Sequence, residues 1–145
     1  MPGKPGPRPG RRAAGRGTFP CAFAVDWTAI TRQAIRAWRD LQEATELGAC
    51  AVAALLVDSL TEDTIVERSW KGTGFDYWLA PKGSDETLFQ NRARLEVSGI
   101  LKGNEKDVMK RLAEKMAQAD ATHASLMKIV VIVEFGSPSS HLEQR

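Results

Sequence analysis

Residues 129–133 read Ile-Val-Val-Ile-Val, five consecutive β-branched residues. A strand that does not alternate between apolar and polar residues is typical of one covered on both faces in the middle of a sheet. The segment before it predicts a helix, in which Asn104 is the N-cap. Apolar residues recur there at helical spacing, at Val108, Leu112 and Met116. Such a helix can connect two parallel strands by a right-handed crossover.

Three further strands are predicted upstream of that helix. Residues 64–70 and 75–79 are rich in β-branched and aromatic residues, and the turn residues 71–74 lie between them, so the two segments predict a hairpin. Residues 92–100 alternate, which predicts a third strand. Its polar residues share one face, and its apolar residues share the other: Arg92, Arg94, Glu96 and Ser98 against Ala93, Leu95 and Val97. We expect the polar row to form one surface of the sheet.

The first predicted element is helical. Asp26 is a suitable N-cap, and apolar residues recur at three- and four-residue steps through Leu56, as one long helix or as two helices separated near Gly48. The element order is therefore helix, three strands, helix, strand. This order predicts an α/β fold, a small mixed β-sheet flanked by helices in the order α-β-β-β-α-β, within a single domain over residues 26–136.

The two ends of the chain are expected to be flexible. Residues 1–17 carry five Lys or Arg and no acid, whereas the remaining 128 residues carry 15 Lys or Arg against 18 Asp or Glu. Because the first 25 residues are also rich in Gly and Pro, they predict a disordered basic tail. If this tail has a function, the hypothesis is an arm that binds phosphates. Residues 137–145 are expected to fray.

Composition excludes several classes of protein. The longest apolar run, residues 49–57, is far shorter than the ~20 residues that span a bilayer, so no membrane partner is expected. The two cysteines, Cys21 and Cys50, form neither a CxxC pair nor a disulfide framework, and no histidine lies at metal-binding spacing. We therefore expect a protein of the reducing cytoplasm.

Two acids stand out as candidates for chemistry. Asp76 lies in the second predicted strand and Glu96 in the third. Neighbouring antiparallel strands can place two such residues side by side, with Cβ atoms ~5 Å apart. Two carboxylates that close repel each other unless a cation or a proton lies between them, and hard oxygen ligands suit Mg²⁺ or Mn²⁺. The structural alternative is that Glu96 pairs with Arg94 or Arg68 across the sheet.

With these acids and this order of elements, residues 38–135 resemble the PD-(D/E)XK, or restriction-endonuclease-like, nuclease superfamily. The resemblance implies that Asp76 matches the acid of the second core strand and Glu96 the acid of the third. It further implies that these acids bind Mg²⁺ or Mn²⁺ and activate water to hydrolyse a phosphodiester of a nucleic acid. Members commonly add a glutamate from the first core helix, for which the candidates are Glu43 and Glu46.

The resemblance also implies a catalytic lysine, and Ser98 stands at its position. Lys71 or Lys102 is expected to supply that positive charge from another part of the backbone, as happens in this superfamily. The alternative is a catalytically inactive nuclease-like scaffold that binds a protein partner, through the predicted loop 80–91 and its aromatic neighbours. An antitoxin-like or immunity-like factor is a further alternative, since an acidic body suits a basic partner.

Overall fold

The fold is a five-stranded mixed sheet with helices on both faces. It is seen in a computed structural model, which describes residues 20–84, 93–120 and 126–145. The chain divides into two units, Met1–Ile30 and Thr31–Arg145. Residues 20–30 of the first unit are exposed and form no helix or strand. All helices and strands of the described residues lie in the second unit, in the order α1 (Arg32–Ala37), α2 (Leu41–Leu60), β1 (Asp63–Arg68), β2 (Tyr77–Pro81), β3 (Ala93–Ile100), α3 (Glu105–Asp120), β4 (Lys128–Glu134) and β5 (Ser139–Gln144).

The strands lie in the sheet in the order of the sequence, β1-β2-β3-β4-β5. The first three form an antiparallel meander, β3 and β4 are parallel, and β5 returns antiparallel to β4. Helix α3 makes the crossover between the two parallel strands, as the sequence predicts. Every residue of β4 is buried, which confirms that residues 129–133 form an interior strand covered on both faces.

The two faces of β4 carry two separate parts of the core. Ile129, Val131 and Val133 pack with the buried side chains of α2, while Val130 and Ile132 pack with those of α3. Adjacent residues of a strand point to opposite faces, so the unbroken apolar run supplies both layers. The stripe predicted for α3, Val108, Leu112 and Met116, is buried and therefore confirmed.

The helical region starts later than predicted and breaks elsewhere. Thr31, rather than Asp26, is the N-cap of α1, and the helices separate at residues 38–40 instead of near Gly48. The break follows from Asp40, whose carboxylate accepts hydrogen bonds from the N–H groups of Gln42 and Glu43 and so starts a new helix. Gly48 continues α2, where its missing Cβ makes room for the Phe135 ring. None of the helices in the described parts of the chain is long and apolar enough to cross a membrane.

The C-terminal residues differ from the prediction of a flexible segment over 137–145. Residues 139–144 form β5, which pairs with β4 from Ile129↔Gln144 to Glu134↔Ser139. The polar composition of this segment does not indicate a strand. The strand forms because its backbone hydrogen-bonds to the edge of β4 that does not pair with β3. Of the other predicted segments, residues 1–19 of the tail, 85–91 of the predicted loop and Arg92 of the predicted third strand lie outside the described residues.

Gly99 is where α2 approaches β3 most closely. A Cβ built there would lie 2.6 Å from the Thr45 carbonyl oxygen and 3.0 Å from the Ala49 Cβ. We expect Gly99→Ala to lower the free energy of unfolding by about 1–3 kcal/mol, because backbone must move to admit the methyl group. Denaturant titration measures the change. Gly48→Ala is the control: its Cβ would meet only the Phe135 ring edge, at 3.3 Å, so a loss as large as that of Gly99→Ala would contradict the account.

Glu134 joins the connection after β3 to the turn after β4. Its carboxylate accepts hydrogen bonds from the N–H groups of Ser137, Gly136 and Gly103, at 2.7, 2.8 and 3.0 Å. These bonds, that of Ser137 first, hold the pKa of Glu134 below its usual range. The ionised carboxylate therefore stabilises the fold above the usual glutamate pKa, and this contribution is lost as the pH falls through the lowered pKa.

Glu134→Gln is expected to lower the melting temperature at neutral pH, because an amide is a weaker acceptor for three N–H groups. The difference from the native protein should shrink as the pH is lowered through the range below about 4. Melting curves from pH 3 to pH 7 measure this. Glu143→Gln, which alters a partly exposed carboxylate on β5 paired with Arg145 at 3.1 Å, is expected to change little. A difference for Glu134→Gln that is constant with pH would contradict the argument.

Candidate functional site

The candidate site lies beside the first residue of β2, where β3 continues past its pairing with β2. The last pair between the two strands is Tyr77↔Leu95, so β3 extends five residues beyond its partner. Asp76, predicted inside the second strand, lies directly before β2. Its N–H donates to the Leu95 carbonyl at 2.9 Å, and its carboxylate Oδ2 accepts the N–H of Val97 at 2.7 Å. Asp76 thus replaces a missing strand acceptor, which fixes its carboxylate against the edge of β3.

Glu96 lies next to Asp76, on the face of β3 that α3 covers. Its side chain is 5 % exposed, and its Oε1 accepts a hydrogen bond from the Lys115 ammonium at 2.5 Å. Burial raises the pKa of Glu96, the hydrogen bond from Lys115 opposes this, and the negative charge of Asp76 adds to it. Asp76 hydrogen-bonds to the backbone on either side of Glu96, at Leu95 and Val97. The structure therefore brings together the acid pair that the sequence singled out.

The polar row of β3 is not a solvated surface. Arg94, Glu96 and Ser98 are all buried. Helix α3 covers Glu96 and Ser98 and supplies a cation to each: Lys115 to Glu96, and Arg111, whose Nη1 donates to the Ser98 Oγ at 2.8 Å. Positive charge thus reaches both the acid and the serine from the next element of the chain.

The two lysines predicted to supply that charge lie elsewhere. Lys71 is exposed in the turn between β1 and β2, and Lys102 is exposed after β3, where it packs beside Gly136. The side-chain partners of Asp76 and Glu96 are Val97 and Lys115 rather than either of these two lysines. Lys115 holds the position instead, because a helix lying across β3 can bring its side chains to the same face.

Glu46, the predicted third metal ligand, lies on the exposed side of α2 near the site. It lines an open surface pocket of about 370 Å³ with Arg111 of α3. The remaining lining residues belong to α2 and the end of β3: Leu41, Gln42, Thr45, Gly99 and Leu101. Within residues 20–84, 93–120 and 126–145, no three Asp, Glu, His or Cys side chains converge as metal ligands, so Glu46 does not join the acid pair.

Sequence reasoning missed Lys115 and Arg111, although a signal was present. Both come one residue before a member of the buried stripe, at Leu112 and Met116, and they are four residues apart. They therefore lie on one side of α3 at the margin of its buried face. The helix crosses a strand that carries a row of polar side chains. Basic residues at the margin of such a helix are predicted to pair with those side chains.

Comparison with family models, with curated protein sequences and with solved structures finds no match to this chain. The nuclease superfamily therefore remains a resemblance carried by Asp76, Glu96 and the order of elements. Support for a function has to come from the chemistry of the site itself.

Proposed function

We propose that this protein is a metal-dependent hydrolase of nucleic-acid phosphodiesters, with a restriction-endonuclease-like core. The observation that carries the proposal is the meeting of Asp76 and Glu96 beside the ammonium of Lys115. Two acids and a lysine are the groups that the motif of the superfamily provides. Here the cation comes from α3, while Ser98 occupies the motif position on β3.

The acid pair suits a divalent ion. Glu96 is buried beside the carboxylate of Asp76, and this juxtaposition is unfavourable unless a proton or cation lies between the two groups. Mg²⁺ is commonly held by one or two carboxylates, with waters and substrate phosphates completing its shell, so two acids suffice for such a site. When bound, the ion supplies Lewis-acid stabilisation and an acidic water.

The side chains of this chain have separate roles in the proposal. Asp76 and Glu96 hold the ion, and the backbone bond from Val97 keeps the Asp76 carboxylate oriented. Lys115 orients Glu96 and places a positive charge where the reacting phosphate gains negative charge. Arg111 is held by Ser98 and lies 3.8 Å from Glu114, so its guanidinium is positioned at the rim of the site.

The arrangement of the sheet supports the same proposal. Asp76 directly precedes β2, and Glu96 lies in its antiparallel neighbour β3, which is parallel to β4 through the α3 crossover. Helix α2 packs on the opposite face of the sheet. These are the element types and neighbours that the resemblance implies for the nuclease core.

The test is cleavage of plasmid and single-stranded DNA with Mg²⁺ or Mn²⁺. We expect the native protein to cut at least one of the two substrates and the Asp76→Ala/Glu96→Ala variant to cut neither. Chelation of the metal should stop cleavage by the native protein. If the native protein cleaves neither substrate at any metal concentration, although circular dichroism shows that it is folded, the proposal is contradicted.

A second candidate is an inactive nuclease-like scaffold that binds a protein partner. The observation in its favour is that both acids have structural partners, Asp76 at Val97 and Glu96 at Lys115. A scaffold can retain these contacts for stability after catalysis is lost. Absence of cleavage by both the native and the double-alanine proteins supports this candidate.

A further inference from the structure

Helix α1 and the residues that follow it make a small surface without internal packing. No residue of α1 is buried. Ile35 and Trp38 are 61 % and 50 % exposed, and the arginines of this segment are exposed as well: Arg32, Arg36 and Arg39. We call residues 31–41 the α1 segment. Its exposed apolar and cationic side chains are available for contact with a partner.

The α1 segment contains three arginines, and its one acid, Asp40, is engaged as the N-cap of α2. The chain is otherwise divided in charge: residues 1–40 carry eight Lys or Arg and two acids, net +6, while residues 41–145 carry 12 against 16, net −4. A polyanion is repelled by the acidic part and attracted by the basic part. The α1 segment belongs to the basic part and therefore attracts a polyanion.

The α1 segment ends at the rim of that site. Leu41, its last residue, lines the pocket that also contains Glu46 and Arg111. Arg32 and Arg36 are about one helical turn apart on α1, and Arg39 follows in the connection to α2. Neither Asp76 nor Glu96 lines this pocket, which adjoins them through Arg111, whose guanidinium donates to Ser98 of β3.

We propose that the α1 segment binds single-stranded nucleic acid next to the candidate site, with the three arginines on phosphates and Trp38 stacked on a base. This inference rests on the proposed hydrolase function and names the element that holds its substrate. Arginines neutralise phosphates irrespective of sequence, and an exposed indole offers a stacking platform to any base. The exposure of Trp38 beside Arg39 provides both groups together.

The experiment measures binding of the full chain to a fluorescein-labelled 20-nucleotide single-stranded DNA in EDTA, by anisotropy at several KCl concentrations. The Arg32→Gln/Arg36→Gln/Arg39→Gln variant is expected to reduce the slope of log K against log [KCl] by about 2, since each contact to a single strand contributes about 0.7. The matched control removes three exposed cations of the acidic part: Lys102, Lys106 and Lys110, each changed to Gln. It should leave the slope nearly unchanged.

Trp38 is tested separately. Trp38→Ala is expected to weaken binding about 10-fold or more at every salt concentration without changing the slope, and Trp38→Phe should restore most of the affinity. Because α1 buries no residue, these variants should melt at the same temperature as the native protein. Equal effects of the two triple variants would overturn the inference, as would binding to phosphatidylglycerol vesicles without binding to DNA.

The cleavage assay keeps this inference separate from the proposed function. Arginine-dependent DNA binding by a protein that never cleaves would support the α1 segment and contradict the hydrolase. Cleavage by a protein whose binding ignores the three arginines would support the hydrolase and overturn the role of the α1 segment.

Discussion

Lys115→Met is expected to lower the free energy of unfolding by about 3 kcal/mol at neutral pH, because it leaves the buried carboxylate of Glu96 without its cation. Methionine keeps much of the length of the lysine stem, so loss of packing contributes little. Urea denaturation of the native and variant proteins measures the change. The exposed Lys110 of the same helix provides the control, and Lys110→Met should stay within about 0.5 kcal/mol of the native protein.

The pH dependence of that loss identifies its cause. Burial already raises the pKa of Glu96, and removing the Lys115 charge raises it further. Between the usual and the raised pKa the folded protein binds more protons than the unfolded chain, so stability from this group falls as the pH rises through that window. The deficit of Lys115→Met should therefore shrink on acidification. Adding Glu96→Gln should recover part of it at neutral pH, and a double variant no more stable than Lys115→Met would contradict this explanation.

Asp76→Asn is expected to reduce cleavage on the order of 10³-fold while leaving the fold intact. A neutral amide is a poor ligand for a hard cation, and metal stabilisation of the reacting phosphate is worth several kcal/mol. In the native protein the N–H of Val97 donates to the Asp76 carboxylate at 2.7 Å. The amide oxygen of asparagine can accept the same hydrogen bond, so the edge of β3 keeps its partner. Initial cleavage rates and denaturant titrations of the same preparations measure both quantities.

Asp76→Ala separates the two roles of this residue. It removes the acceptor as well as the charge, so it should abolish cleavage and also lower stability by about 1–3 kcal/mol, the cost of a buried unpaired N–H. An Asp76→Asn protein that cleaves at the native rate would show that the carboxylate serves only the edge of β3. That result would contradict the assignment of Asp76 as a metal ligand.

The layers of the fold were predictable where one physical requirement dominates. The apolar run at 129–133 requires cover on both faces, and the structure provides α2 on one and α3 on the other. The start of α3 was equally clear, because Asn104 Oδ1 accepts the N–H of Asp107 while Asp107 Oδ2 accepts that of Asn104. Strand β5 was missed because its pairing depends on the exposed edge of β4, not on its own composition.

The sequence predicts the acids of the candidate site but does not predict its cations. Neighbouring antiparallel strands can place two acids side by side, which is the basis for predicting that Asp76 lies near Glu96. Alternation in β3 suggested a solvated row, but Glu96 and Ser98 are buried because α3 brings Lys115 and Arg111 to them. Contacts between a strand and a helix depend on how the helix is rotated over the sheet, which no single segment of sequence specifies.

The central claim is that Asp76 and Glu96 together hold one divalent ion, and the melting temperature as a function of Mn²⁺ concentration tests it most directly. An ion that binds only the folded protein stabilises it by about 2.7 kcal/mol at 100 times its dissociation constant. We predict a progressive, saturable rise for the native protein and none for Glu96→Gln. Identical curves for the two proteins, whether both rise or both stay flat, would contradict the claim.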